Sequence, residues 1–487
     1  MQNGWRPKPG DKIYRPRRIR HYHLRRVLGV PALFSAGYGD VGSSIYYALG
    51  VVALVALGAT PIVLAIAGII YVFNALSYAE GGSMFPEAGG SASFARRGYN
   101  DLIGFVAGWG LMLSYIITVS ISAYTIPPYL SYFFPVLSEQ ASGTAVSIGI
   151  ILLLMFVNVI GVRESSRLNI AFIGIDITTQ VALVILGLVF ILIPNPGILV
   201  EHMFGQGNVP TAQNFIYGIA IAALCFTGVE TVSQLGEETR QATRRIPRTY
   251  VLMIIVVLIL FSGISVVALT AMTPQVLGDP VNGFARDPVA GIAANLPSEA
   301  IRNIFKPLVA VLAASILLTA TNAGLLGISR LAYNLSAHQQ LPARLSQIHP
   351  RFRTPYITII LFCLVAIVVL IPGFFTTTFF ADLGALYVFG SLLVFALAHA
   401  SILALRVKEP DFARPFRLGA NVTIKGHKLP VTAILGLGAT SLIWFVIIVT
   451  QAFSRMGLVW MAIGLLIYFI YRRRQKIAMT RHVFPPR

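Results

Sequence analysis

Twelve long apolar runs restrict what this chain can fold into. They cover roughly residues 28–52, 61–79, 101–130, 145–161, 168–193, 212–235, 249–271, 307–329, 355–372, 379–405, 430–450 and 456–471. A helix crosses the hydrocarbon core with about 20 apolar residues. The runs are continuous rather than alternating, which excludes a transmembrane barrel and leaves a helical bundle. Composition agrees, with 56% of the 487 residues apolar, 11% charged and a mean hydropathy of +0.76. Soluble chains carry about 25% charged residues. The first run is too long and too poorly shaped for a cleavable leader and reads as a retained span. The runs at 101–130 and 379–405 are long enough to tilt.

A net charge of +19 would suggest nucleic acid in a soluble protein, but the placement of the charges argues otherwise. Of the 37 Lys and Arg residues, 33 fall in the two tails and in alternate loops, and only Arg286, Arg302, Lys306 and Arg455 lie in the opposite loops. No Lys or Arg falls inside a run. This asymmetry predicts a multi-pass protein of the cell membrane with both termini cytoplasmic. The basic stretch Arg15-Pro16-Arg17-Arg18-Ile19-Arg20 needs only anionic lipid headgroups as its partner. Cys225 and Cys363 both lie in apolar runs and read as small buried hydrophobes. There is no Cys/His cluster, Walker loop or large soluble domain. An enzyme, a bound cofactor, a metal site and a nucleic-acid partner are therefore not expected.

The acids are placed differently. Asp40, Asp176, Glu230 and Asp382 fall inside runs, and Glu80 falls at the end of the second, within reach of the interface. Intramembrane carboxylates mark ion or solute pathways and usually face a cavity. With no intramembrane cation in the sequence, their partner is a hydrogen-bond donor, a proton or a transported cation. Two of them stand beside glycines. The first run contains Gly37-Tyr38-Gly39-Asp40-Val41-Gly42-Ser43-Ser44-Ile45-Tyr46-Tyr47, and the sixth contains Phe226-Thr227-Gly228-Val229-Glu230-Thr231. Each reads either as a broken helix that binds solute or as a kink with close packing. Their separation by five spans favours the former, because paired interrupted helices in two inverted halves mark a transporter site.

Four stretches resemble the amino acid–polyamine–organocation superfamily of permeases. Val41-Gly42-Ser43-Ser44-Ile45-Tyr46 is similar to that family's Gly-Ser-Gly break in helix 1, with Ser44 in place of the last glycine. Ser83-Met84-Phe85-Pro86-Glu87-Ala88-Gly89-Gly90-Ser91 is similar to its loop after helix 2. Phe226-Thr227-Gly228-Val229-Glu230 with Glu237-Glu238-Thr239-Arg240 is similar to its helix 6 and the turn beyond. Asn322-Ala323-Gly324-Leu325-Leu326-Gly327-Ile328-Ser329-Arg330, with Leu341-Pro342 and Thr354-Pro355, resembles the end of helix 8 and its loop. The resemblance implies an all-α integral membrane protein of twelve transmembrane helices, a five-plus-five inverted repeat with broken helices 1 and 6. The repeats would be 27–194 and 195–406, followed by helices 11 and 12 at 407–471, with basic tails at 1–26 and 472–487.

The resemblance also implies roles. Free amides around Gly42, Ser43 and Ser44 would hold a substrate carboxylate, and carbonyls from Phe226 to Val229 would take its ammonium. Gly39, Ser114, Gly228 and Glu230 would belong to the same substrate site. Asp40 departs from the family's usual aliphatic residue. Together with Tyr47 it is similar to a potassium-uptake branch, where both contact the ion. The second acid that this branch places in helix 3 is absent at Ser114-Tyr115. Asp40 therefore binds potassium, binds the ammonium of an amino acid or amine, or carries the coupled proton. Asp176 stands where a proton-coupled branch has Lys. It carries a proton, ligates sodium with Thr319 and Thr321, or is a satisfied polar residue bonded to Thr178 or Thr179. His399 reads as a packed histidine, and Pro127-Pro128 should kink or end helix 3. The function expected is secondary active transport of an amino acid with a proton or sodium ion, by alternating access, with potassium uptake as the alternative.

Overall fold

The computed structural model describes residues 26–161, 166–352, 354–376 and 378–481. The basic stretch Arg15–Arg20, expected to meet lipid headgroups, lies outside the described residues. The first span is α1 (Val30–Ser43) followed by α2 (Ile45–Ala56), and the second is α3 (Thr60–Met84). Together they form one apolar helical stretch of 55 residues. At 1.5 Å per residue this is about 80 Å of helix, far more than one crossing of ~30 Å. The chain turns back at Leu57, where φ is 48°, and Pro61 opens α3 in its first turn, where a missing N–H is harmless. Ten further apolar helical stretches follow, so the described residues hold twelve helical segments long and apolar enough to cross a membrane.

After a short loop helix, α4 (Ser91–Gly98), the third span is α5 (Asp101–Leu130). The Asn100 side chain accepts from the Ile103 N–H and Asp101 occupies the positive end of the helix dipole, so both features start the helix here. Pro127 and Pro128 fall in its last turn and mark its end. The fourth and fifth spans are α6 (Gln140–Ile160), closed by Gly161 at φ 78°, and α7 (Ser166–Gly187). The short α8 (Pro196–Phe204) precedes the sixth span, α9 (Ala212–Ala222) and α10 (Thr231–Gln234). The seventh is α11 (Ala242–Ala271). Loop helices α12 (Pro274–Gly278) and α13 (Pro288–Ala294) lead to α14 (Glu299–Ala337), α15 (Tyr356–Leu370) and α16 (Phe379–Lys408). A hairpin of β1 (Asn421–Ile424) and β2 (His427–Pro430), with Ile424 opposite His427, precedes α17 (Val431–Thr450) and α18 (Met456–Arg474).

Burial separates a core from a rim. The apolar window of α5 is 83% buried and that of α17 only 28%, so α5 is central and α17 faces lipid. Small residues allow the close approach that membrane helices need. A Cβ at Gly324 of α14 would lie 3.3 Å from the Tyr115 carbonyl oxygen of α5. Packing joins α3 with α11, α5 with α14, and α6 with α15. Each of these pairs lies five spans apart.

Two buried ion clusters fasten the end of the bundle that carries the basic loops. Glu80 is fully buried and accepts from Arg406 at 2.7 and 2.8 Å and from the Leu418 N–H at 2.8 Å, with Arg414 at 3.6 Å. Asp101 takes Arg96 at 2.7 Å and Arg472 at 2.5 Å. Glu80 is thus covered by Arg406 from the last turn of α16 and by Arg414 from the loop beyond it. Asp382 is not at mid-depth. It lies in the first turn of α16, half-buried, and accepts from the Thr378 hydroxyl. Glu80→Gln leaves two guanidiniums without their carboxylate, and breaking a buried pair in this way costs ~3–5 kcal/mol. The variant is expected to unfold at a clearly lower temperature than the parent in detergent, and thermal unfolding of the purified proteins checks this.

Candidate functional site: a helix break against a buried carboxylate

The sixth span stops being an α-helix at Ala222. It tightens into a 3₁₀ turn over Ala223–Phe226, passes through Thr227 in extended geometry and resumes at Thr231. Gly228 has φ 94°, a backbone region open to glycine at little cost. The Thr227 hydroxyl donates to the Leu224 carbonyl at 2.9 Å, and the Tyr250 hydroxyl donates to the Val229 carbonyl at 3.0 Å. These bonds hold the unwound backbone open. Phe226 is buried between Tyr71 and Phe261, with ring centroids at 5.2 and 5.4 Å.

Asp40 of the first span stands directly against this break. A Cβ at Gly228 would lie 2.7 Å from Asp40 Cγ, so only a bare backbone fits beside the carboxylate. The Thr231 hydroxyl donates to Asp40 Oδ2 at 2.5 Å. Asp40 Oδ1 is buried with no protein partner, and so are Glu230 Oε2 and the hydroxyls of Tyr71, Tyr78 and Tyr115. Buried polar atoms are nearly always bonded. A group of such unpartnered atoms at one helix break gives it the hydrogen-bonding capacity to hold a polar solute.

The first span is interrupted far less than its sequence suggests. Its break is one residue wide, at Ser44, which keeps right-handed helical angles of −63° and −30°; its N–H turns to the Val41 carbonyl at 3.0 Å. A side chain at Ser44 removes the freedom that a third glycine would give. The Gly42 position is also filled, since a Cβ there would meet the Tyr38 ring at 2.6 Å. The first span is thus broken between α1 and α2, as expected, but the break is confined to Ser44 and does not extend over Gly42 and Ser43. Ser43 and Ser44 bond locally, to the Asp40 carbonyl at 2.7 Å and to the Tyr47 hydroxyl at 3.0 Å. Gly39 packs toward Ile173 and Thr319 at ordinary contact distances. Ser114 accepts from Ser391 at 3.2 Å in the seam between α5 and α16.

Asp176 forms a separate cluster. It accepts from Tyr46 at 2.5 Å, from Tyr38 at 3.4 Å and from Gln180 at 2.8 Å, which ties the first span to the fifth. Thr319 and Thr321 donate to their own helix, at Ser315 and Leu317, as do Thr178 and Thr179 at Gly174 and Ile175. The structure therefore does not bring these four hydroxyls onto Asp176. Sequence reading passed over Tyr38 and Gln180. The i, i+4 spacing of Asp176 and Gln180 is a local signal that marks the second of them. His399 bridges Ser77 at 2.9 Å and Asn74 at 2.8 Å and is a packed, satisfied residue.

Comparison with known proteins gives a consistent class. The amino acid permease family model matches residues 28–470. The branched-chain amino acid permease BcaP of Bacillus subtilis is 26% identical over 476 residues, covering 93% of this chain and 94% of its own. The methylthioribose transporter of the same organism is 27% identical, covering 93% and 95%. The low-affinity putrescine importer PlaP of Escherichia coli is 25% identical, covering 87% and 88%.

The two glycines should separate under substitution. Gly228→Ala forces a side chain into a strained backbone region, at ~1–2 kcal/mol for a left-handed residue, and into the Asp40 carboxylate. Solute uptake by this variant is expected to be lost. Gly39→Ala meets only ordinary contacts and gains up to ~1 kcal/mol of helix propensity, so uptake and thermal stability should be retained. Uptake and thermal unfolding measured on both variants check the pair.

Proposed function

The chain belongs to the amino acid permease family, and on that footing we propose that it is a secondary active transporter, carrying an amino acid across the cell membrane by alternating access around a site between Asp40 and Gly228. It is a multi-pass membrane protein and not an enzyme. The observation that carries the reading is the buried Asp40 carboxylate, held by Thr231 through one oxygen and unpartnered at the other, in contact with unwound backbone. An ammonium is the complement of that arrangement. It donates to a carboxylate and to the carbonyls of a broken helix, at the depth where inverted-repeat transporters bind solute. Motion of the two five-span halves against each other would expose the site to each side in turn, with the basic loops and both termini in the cytoplasm.

Of the two couplings, the geometry favours the proton. Asp176 is held entirely by uncharged donors, the hydroxyls of Tyr38 and Tyr46 and the amide of Gln180, a shell that accommodates either protonation state of the carboxyl group. A buried carboxylate that changes protonation would loosen or tighten the tyrosine bonds that tie the first span to α7. Proton binding would in this way bias the position of the helix that holds Asp40.

Purified protein in liposomes tests this. Labelled amino acid should accumulate under an inward proton gradient and not under a sodium gradient alone. Asp176→Asn should reduce driven accumulation to the level without a gradient, while exchange of solute at equal pH continues. Accumulation driven equally by sodium would overturn proton coupling. Uptake of potassium, or of rubidium as its tracer, with no amino acid moved would overturn the permease reading.

A further inference from the structure

The polar groups at the helix break are of one kind. Asp40 and Glu230 are 2% and 1% exposed, and each keeps one carboxylate oxygen without a partner. Burying a lone carboxylate is very unfavourable unless a charge or several donors meet it. Asp176 shows the satisfied alternative, with three donors. Among the described residues no ion pair to either carboxylate is formed. The buried guanidiniums of Arg96, Arg406 and Arg472 are bound to Asp101 and Glu80 in the clusters at the basic end. The two carboxylates lie close enough in the bundle to feel one another's charge. The hydroxyls of Tyr78 and Tyr115 are buried and unpartnered.

This lining disfavours a neutral amino acid. A zwitterion supplies one ammonium to two carboxylates and adds a third carboxylate of its own. The amides of Gly42 and Ser43 lie within α1 and the Ser44 N–H turns to the Val41 carbonyl, so these three do not open toward that group. Two ammonium groups on a flexible chain satisfy the whole set. One meets Asp40 Oδ1 and the open backbone at Gly228, and the other meets Glu230 Oε2. Aromatic faces such as those of Tyr71 and Phe226 add attraction for the cation and cover the alkyl chain.

Resting on the reading of this site as an amine carrier, we propose that the solute bears two ammonium groups, so that Asp40 and Glu230 each bind one. A diamine and a dibasic amino acid share this chemistry and differ in whether they also carry a carboxylate. Uptake of labelled putrescine, lysine and leucine into liposomes containing the full chain tests the proposal. Putrescine, lysine or both should be taken up in preference to leucine by about 30-fold or more, the scale expected when a buried charge loses its partner. Uptake of lysine without putrescine shows that a carboxylate is also recognised; uptake of putrescine shows that it is not needed. Glu230→Gln should lower uptake of the two-ammonium solutes and narrow their advantage over leucine. The parent protein's preference decides the matter even where that variant fails to fold. Leucine taken up as well as or better than lysine and putrescine overturns the proposal and leaves the permease reading standing. If none of the three is moved, that reading and this proposal fall together.

Discussion

The contact between the Asp40 carboxylate and the bare backbone at Gly228 is the constraint around which the central helices are arranged. It requires a glycine, because no side chain fits between them and φ is 94°. It requires the sixth span to end its first half at Phe226 and restart at Thr231, whose hydroxyl then reaches Asp40. It also requires α11 to return alongside, so that Tyr250 can hold the freed Val229 carbonyl. A break in a membrane helix is tolerated only where neighbouring groups satisfy the backbone or a cavity is lined. Here Tyr250 and Thr227 satisfy part of it, and the remainder faces unpartnered carboxylates.

Around this seam the bundle divides charge by depth. The ion clusters of Glu80 and Asp101 sit at the basic end, each carboxylate meeting two arginines. They fasten α3, α4, α5, α16 and α18 without placing a cation at the site. Deeper in the bundle, carboxylates meet hydroxyls or amides, as Asp176 does, or keep an open valence, as Asp40 and Glu230 do. A fastened end and an unsatisfied centre fit a protein whose centre changes occupant while its frame stays intact. The first span connects the two carboxylate systems, since Tyr38 and Tyr46 bind Asp176 and Asp40 lies between them in sequence.

Much of the fold was legible because its cause is local. A run of about 20 apolar residues is a span wherever it occurs, and the run read at 101–130 is α5 at both ends. The break at Gly228 was legible for the same reason, since glycine beside a carboxylate has no use in a continuous helix. The break in the first span was legible too, but its width was not. Gly42 looked like unwound backbone, but the room it gives is taken by the Tyr38 ring one turn earlier, and Ser44 keeps helical angles. Partners far away in sequence left no local pattern. Glu80 meets Arg406 across 326 residues, and Asp176 meets Tyr46 across 130. The hydroxyls of Thr319 and Thr321 share a helix with a polar face, but their bonds close on that helix, a choice set by side-chain geometry that spacing does not record.

The most direct measurement is a structure of the protein with its transported solute bound. An ammonium nitrogen of the solute should lie within hydrogen-bond distance of Asp40 Oδ1 and of a backbone carbonyl between Phe226 and Glu230. A solute seated elsewhere in the bundle, touching neither Asp40 nor the break in the sixth span, would contradict the central role given to that contact.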